Sequence, residues 1–134
     1  MRKIFFLFIV ILFIQKLKAQ ENNQFIKSYS KAAITNAENN GFEEYVKAKN
    51  VLIFNYGDGA DIKFYVANGE VKILRRITEI TEGKTDSGRT YQTMKVLDEN
   101  AFEILIILYS DDELRMLYLN TNTNDISTAV SLLP

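Results

Sequence analysis

The sequence predicts a mainly β protein, an antiparallel meander of about seven strands curled into a small barrel or half-barrel, with an N-terminal helix before it. Three observations predict this. From Val51 onward apolar residues recur at every second position, which is the spacing of a half-buried strand. The runs are separated by short breaks rich in Gly, Asn and Asp, too short to carry a parallel crossover. The chain has 134 residues with no internal repeat, low-complexity tract or linker, a length that fits one domain.

The first element is an address. Arg2 and Lys3 precede eleven consecutive apolar residues, Ile4 to Ile14. A membrane-spanning helix needs about 20 such residues, while the apolar core of a secretory signal needs about 7–15. Ala19 supplies the small residue for cleavage. Residues 1–19 therefore read as a signal peptide, and residues 20–134 as a single exported β-rich domain. An uncleaved anchor is the rival reading. The expected destination is the periplasm, the cell surface or the medium, with membrane contact only during export. The leader holds four cations and no acid, so its removal leaves 12 cations against 17 acids, a net of −5. An acidic chain without a basic tract is a poor nucleic-acid binder, because that binding neutralises phosphates.

Glu21 to Asn40 reads as a helix, with Phe25, Ile26, Tyr29, Ala32, Ala33 and Ala37 on one stripe. The β-branched pair Ile34-Thr35 makes a strand over Ala33–Glu38 the rival, and Phe42–Lys49 is ambiguous. The expected strands are Val51–Tyr56, Asp61–Ala67, Glu70–Ile80, Thr90–Leu97, Phe102–Tyr109, Leu114–Leu119 and Ile126–Leu133. Asn68-Gly69 reads as a two-residue hairpin loop. That register pairs Phe64 with Ile73 and Ile62 with Arg75, and turns Ile62, Phe64, Val66, Val71, Ile73, Arg75 and Ile77 to the core. Residues 102–119 are apolar on both faces and need two covers, one inside and one from the N-terminal helix or a second copy.

The absent residues exclude chemistry. With no Cys there is no disulfide, thiolate nucleophile or Cys-ligated metal. With no His there is no Ser–His–Asp triad and no imidazole base. Gly83-Lys84-Thr85 imitates the end of a phosphate-binding loop, but Thr78 stands where the first Gly belongs, so a polar turn is expected. Asn55/Asp58/Asp61, Asp111/Asp112/Glu113 and Asn122/Asn124/Asp125 cluster oxygens without the EF-hand order, and read as hairpin tips. Glu79 and Glu103 are the carboxylates a hydrolase would use. No catalytic residue, cofactor or metal is expected.

An inward Arg75 must be paired or meet an anion, because a guanidinium cannot be neutralised. Arg115, beside Leu117 and Leu119, is a second such cation. The expected ligand site is thus Arg75, Arg115, Phe64 and Ile73. In strand number and order the chain resembles the calycin group of small lipid- and vitamin-binding barrels; the Gly-x-Trp of lipocalins is missing, since the chain has no Trp. With the leader and the inward cations, the first functional reading is an exported, non-catalytic binding protein holding a small apolar or anionic amphipathic ligand in the barrel interior, with Arg75 or Arg115 on its polar end. The alternatives are an interaction module with a filled core, docking a protein partner or a second copy through 102–119, and a carboxylate-based hydrolase. Interior volume separates the first two readings.

Overall fold

The computed structural model describes residues 23–36, 41–120, 122–123 and 125–134; the expected leader, residues 1–19, lies outside them. The described residues form ten strands: β1 Phe25–Asn36, β2 Gly41–Phe42, β3 Val46–Tyr56, β4 Asp61–Tyr65, β5 Val71–Arg76, β6 Thr81–Lys84, β7 Thr90–Leu97, β8 Glu103–Tyr109, β9 Leu114–Leu119 and β10 Ile126–Leu133. Every pairing is antiparallel. The neighbours run β10-β9-β8-β7-β5-β4-β3-β1, and β1 also pairs with β10, so the ladder returns to its start. β6 follows β5 along the same edge of β7, and β2 folds back on the end of β1.

The expected helix over 21–40 is corrected by β1. No helix occurs among the described residues, and Phe25–Asn36 is extended. Local propensity loses here to pairing. β1 bonds β3 on one edge and β10 on the other, and a helix would leave both strands with unpaired amides and carbonyls. The Ala-rich stretch still buries Ala33, but opposite Ser131 across a strand pair. Residues 42–49 resolve into the end of β2, a short link and the first part of β3.

Four hairpins share one turn. Val66 donates its N–H to the carbonyl of Glu70 while its own carbonyl accepts from Gly69 N–H; Thr85 with Arg89 and Gly88, Asp98 with Phe102 and Ala101, and Tyr109 with Glu113 and Asp112 repeat the pattern. Each fourth residue is left-handed: Gly69 (φ +93), Gly88 (φ +90), Ala101 (φ +62) and Asp112 (φ +69). This is the three-residue loop in which a type I turn is followed by a left-handed residue. Asn68 keeps a negative φ and uses its side-chain oxygen to accept from Glu70 N–H. The expected two-residue loop is therefore one residue short.

That one residue reverses β5. The observed register pairs Ile62 with Leu74, Lys63 with Ile73, Phe64 with Lys72 and Tyr65 with Val71. Because side chains alternate, the shift sends the whole set to the opposite face. Leu74 is buried, while Val71, Ile73, Arg75 and Ile77 are exposed. The expected strand Glu70–Ile80 also breaks after Arg76, where Ile77 N–H still reaches Lys95 O and Thr78 Oγ1 accepts from Lys95 N–H. β6 then occupies part of the expected polar loop.

The core lies on one face of this ladder. Tyr29, Leu52 and Phe54, Ile62 and Phe64, Leu74, Val96, Ile104 and Ile106, Leu114 and Met116, and Leu132 are 0–6% exposed. Each of the eight strands in the returning circuit contributes at least one of them, and β2 and β6 contribute none. At about 1.5–3 kcal/mol per fully buried large apolar side chain, this cluster is the main favourable term in folding.

Candidate functional site

The four residues of the expected ligand site do not meet on one surface. Phe64 is in the core, whereas Ile73 and Arg75 are on the outer face. Arg75 pairs through its backbone with Leu97, and its side chain has no ion-pair partner among the described residues. The inward reading of Arg75 and Ile73 is thus corrected, and the cause is the extra residue in the 67–69 loop. Arg76 takes the place expected for Arg75: it sits opposite the fully buried Val96 and is half-buried. Asp61 Oδ1 accepts from Arg76 N–H at 3.3 Å.

Arg115 belongs to a cation–aromatic cluster. Glu113, only 7% exposed, accepts from Arg115 Nε at 2.9 Å and from its Nη2 at 3.1 Å. The Arg89 guanidinium lies 3.8 Å from the centre of the Tyr109 ring, and that of Arg115 lies 5.1 Å from the rings of Tyr109 and Phe42. Asp111 accepts from Arg89 at 2.9 Å, and this bond holds its carboxyl below the ordinary carboxylate range. Phe42 and Tyr45, whose hydroxyl meets Ser131 Oγ at 2.8 Å, bring the link before β3 onto the outer face. The second cover expected over 102–119 thus comes in part from this link. Its charges are matched internally, Arg89 and Arg115 against Asp111 and Glu113, which makes the cluster a clamp.

The same face explains Gly83. A Cβ there would sit 2.5 Å from the Tyr91 ring, which lies directly across the β6–β7 pair and packs edge-on against Tyr109. Gly83 is a strand glycine making room for an aromatic, not part of a phosphate loop. The oxygen-rich tips also have local tasks. Asp111 Oδ1 accepts from Glu113 N–H, Asp98 Oδ1 from Asn100 and Phe102, and Asp112 pairs with Lys27 at 2.8 Å. Among the described residues no group of three or more acidic side chains converges as a metal site. Glu103 is held by Lys95 at 2.9 Å, while Glu79 stands exposed between β5 and β6.

Two features remain open to a ligand or partner. One is the outer face of β1, β3, β4 and β5. Ile26, Ile53, Lys63 and Ile73 form one cross-strand row, and Ser28, Val51, Tyr65 and Val71 the next. Ile26 is 64% exposed, Val71 47% and Ile73 36%, so the apolar side chains of a four-strand face stand in solvent. Sequence reasoning missed this face because it placed Val71 and Ile73 inside and read β1 as a helix. The other feature is a set of outward-opening clefts. One of about 520 Å3 lies by Glu82, Tyr91 and Asp112, one of about 600 Å3 is rimmed by Lys31, Lys47 and Lys49, and one of about 620 Å3 lies by Phe102, Tyr118 and Asn120. Neither Arg75 nor Arg115 lines any of these three.

No protein-family model, curated protein or solved structure matches the chain. Its function is therefore argued from these surfaces alone.

Proposed function

We propose that this is an exported, non-catalytic interaction module: a small barrel with a filled interior that docks a partner on its outside. The observation that carries the reading is the opposite condition of the two faces of the ladder. The core face is packed with large side chains from eight strands. The outer face of β1, β3, β4 and β5 leaves Ile26, Tyr65, Val71 and Ile73 in water. A ligand pocket needs roughly 300 Å3 or more of interior room. Side chains as large as Phe54, Phe64 and Met116 occupy the centre instead, which favours the filled-core reading over a calycin-like interior ligand. A sheet face of this kind suits an apolar surface of a protein partner, with Lys63 as a central polar contact whose ammonium lies 5.3 Å from the Tyr65 ring.

The test is a photo-crosslinking amino acid at Ile73 in the producing cell, with the same probe at exposed Lys84 as control. A discrete protein adduct from position 73 alone supports the module. Loss of that adduct in Val71→Lys ties it to this face. Native mass spectrometry of the exported product supplies the counter-test: a bound small molecule that survives Val71→Lys, Ile73→Lys and the replacement of Lys31, Lys47 and Lys49 by Gln returns the function to the interior.

A further inference from the structure

We propose that the cleft at the β1–β3 irregularity is a binding site for an amphipathic anion, a hydrocarbon chain carrying a carboxylate or phosphate head. It borders the docking face at Ser28 but does not depend on that reading. Lys31 and Lys47 are direct cross-strand partners, and Lys49 stands on the same rim. Like charges placed opposite each other weaken a sheet. Here the arrangement occurs in a chain with more acids than cations, 17 against 16. Lys31, Lys47 and Lys49 have no carboxylate partner among the described residues, which they share with Lys63, Arg75, Arg76 and Lys84, but only these three gather on the rim of one cleft. The three ammoniums bring only donors, so the group that satisfies them together is an anion rich in acceptor oxygens.

The lining selects the rest of the ligand. The register between β1 and β3 shifts between Tyr29 and Lys31, and the opening is lined by Tyr29, Ala48 and Pro134 together with Ser28, Ser30 and the lysines. Such irregularities open a ladder and redirect its side chains. About 600 Å3 is within the range of small-molecule sites. A lining in which Tyr29, Ala48, Pro134 and the lysine stems accompany three cations fits a hydrocarbon tail with a charged head. A free inorganic anion would leave that apolar lining wet.

Calorimetric titration of the purified chain with dodecyl phosphate, below its micelle concentration, tests this. Inorganic phosphate and an uncharged dodecyl glycoside form separate arms. The expected result is saturable binding of dodecyl phosphate, with both other probes about tenfold weaker or more. Lys47→Gln, and the triple replacement of Lys31, Lys47 and Lys49 by Gln, are expected to lose binding about tenfold or more while melting no earlier than the parent, because repulsion is relieved. Absence of saturable binding overturns the proposal, as does undiminished binding in Lys47→Gln and the triple variant. Equal binding of the glycoside removes the anion requirement, and equal binding of inorganic phosphate removes the tail; either also overturns it.

Discussion

Ala101 occupies a position that its own turn reserves for glycine. The β7–β8 hairpin uses the same three-residue loop as the hairpins at Gly69 and Gly88, yet carries Ala at φ +62. A left-handed L-residue costs about 1–2 kcal/mol. Glycine removes that strain and gives back about 0.4–1 kcal/mol through its freer unfolded chain. Ala101 is exposed, so no packing is lost. The net expectation for Ala101→Gly is a gain of about 0.5–1 kcal/mol. For a slope of about 1–2 kcal/mol per molar urea, that raises the unfolding midpoint by about half a molar with the slope unchanged. Two controls fix the cause. Gly69→Ala, at φ +93, is expected to lower the midpoint by a similar amount. Glu99→Gly, inside the same loop but not left-handed, is expected to lower it as well. If Ala101→Gly lowers stability as Glu99→Gly does, the shared-turn argument fails.

Glu113 anchors both Arg89 and Arg115. Removing one partner of a buried pair costs about 3–5 kcal/mol, but these guanidiniums are 31% and 30% exposed, so about 2 kcal/mol is expected for Glu113→Gln in urea unfolding. A loss below about 0.5 kcal/mol would remove the clamp from the stability argument. Burial, aided by the charge of Asp112, raises the Tyr29 phenol well above its usual range, and burial with Asp98 raises Tyr118 in the same direction. Unfolded phenols ionise near about 10, so the contribution of both groups is complete below that pH and is lost as pH rises toward their folded values. Phenolate absorbance should show two late-titrating tyrosines that ionise together with unfolding; early, independent ionisation of Tyr29→Phe-sensitive signal contradicts this. Arg75→Leu, on the outer face, should change stability by no more than about 0.5 kcal/mol while increasing self-association; a loss of several kcal/mol would mean the side chain is paired after all.

Most of the β architecture is legible in the residues, and the failures have physical causes. Asp61–Tyr65 alternates because one face is buried, while Glu103–Tyr109 and Leu114–Leu119 read as strands from apolar residues on both faces. β1 is not legible because its extended form depends on β3 and β10, whose edges only the folded chain presents. The face of β5 is not legible because Asn-Gly suits two loops that differ by one residue. The alternating run Val71, Ile73, Arg75, Ile77 looks like a core face, yet Leu74 is the residue buried. Of the expected ligand site, Ile73 and Arg75 inherited that error, while Phe64 and Arg115 did not depend on it. The Lys31–Lys47 pair escaped notice for a related reason: residues sixteen apart become neighbours only when the first is known to be a strand.

The seam between β1 and β10 sets an order of events for the molecule. Ala33 and Ser131 are among the most distant contacts in the chain, and their hydrogen bonds can form only after the last strand has been delivered. Until then two raw sheet margins stand open, one at each end of the growing ribbon. Final compaction must therefore wait until β10 is available to β1. Long-range closure of this kind is also slow, on the order of milliseconds to seconds. Loss of β10 alone would convert a self-sealed ladder into one with two adhesive rims.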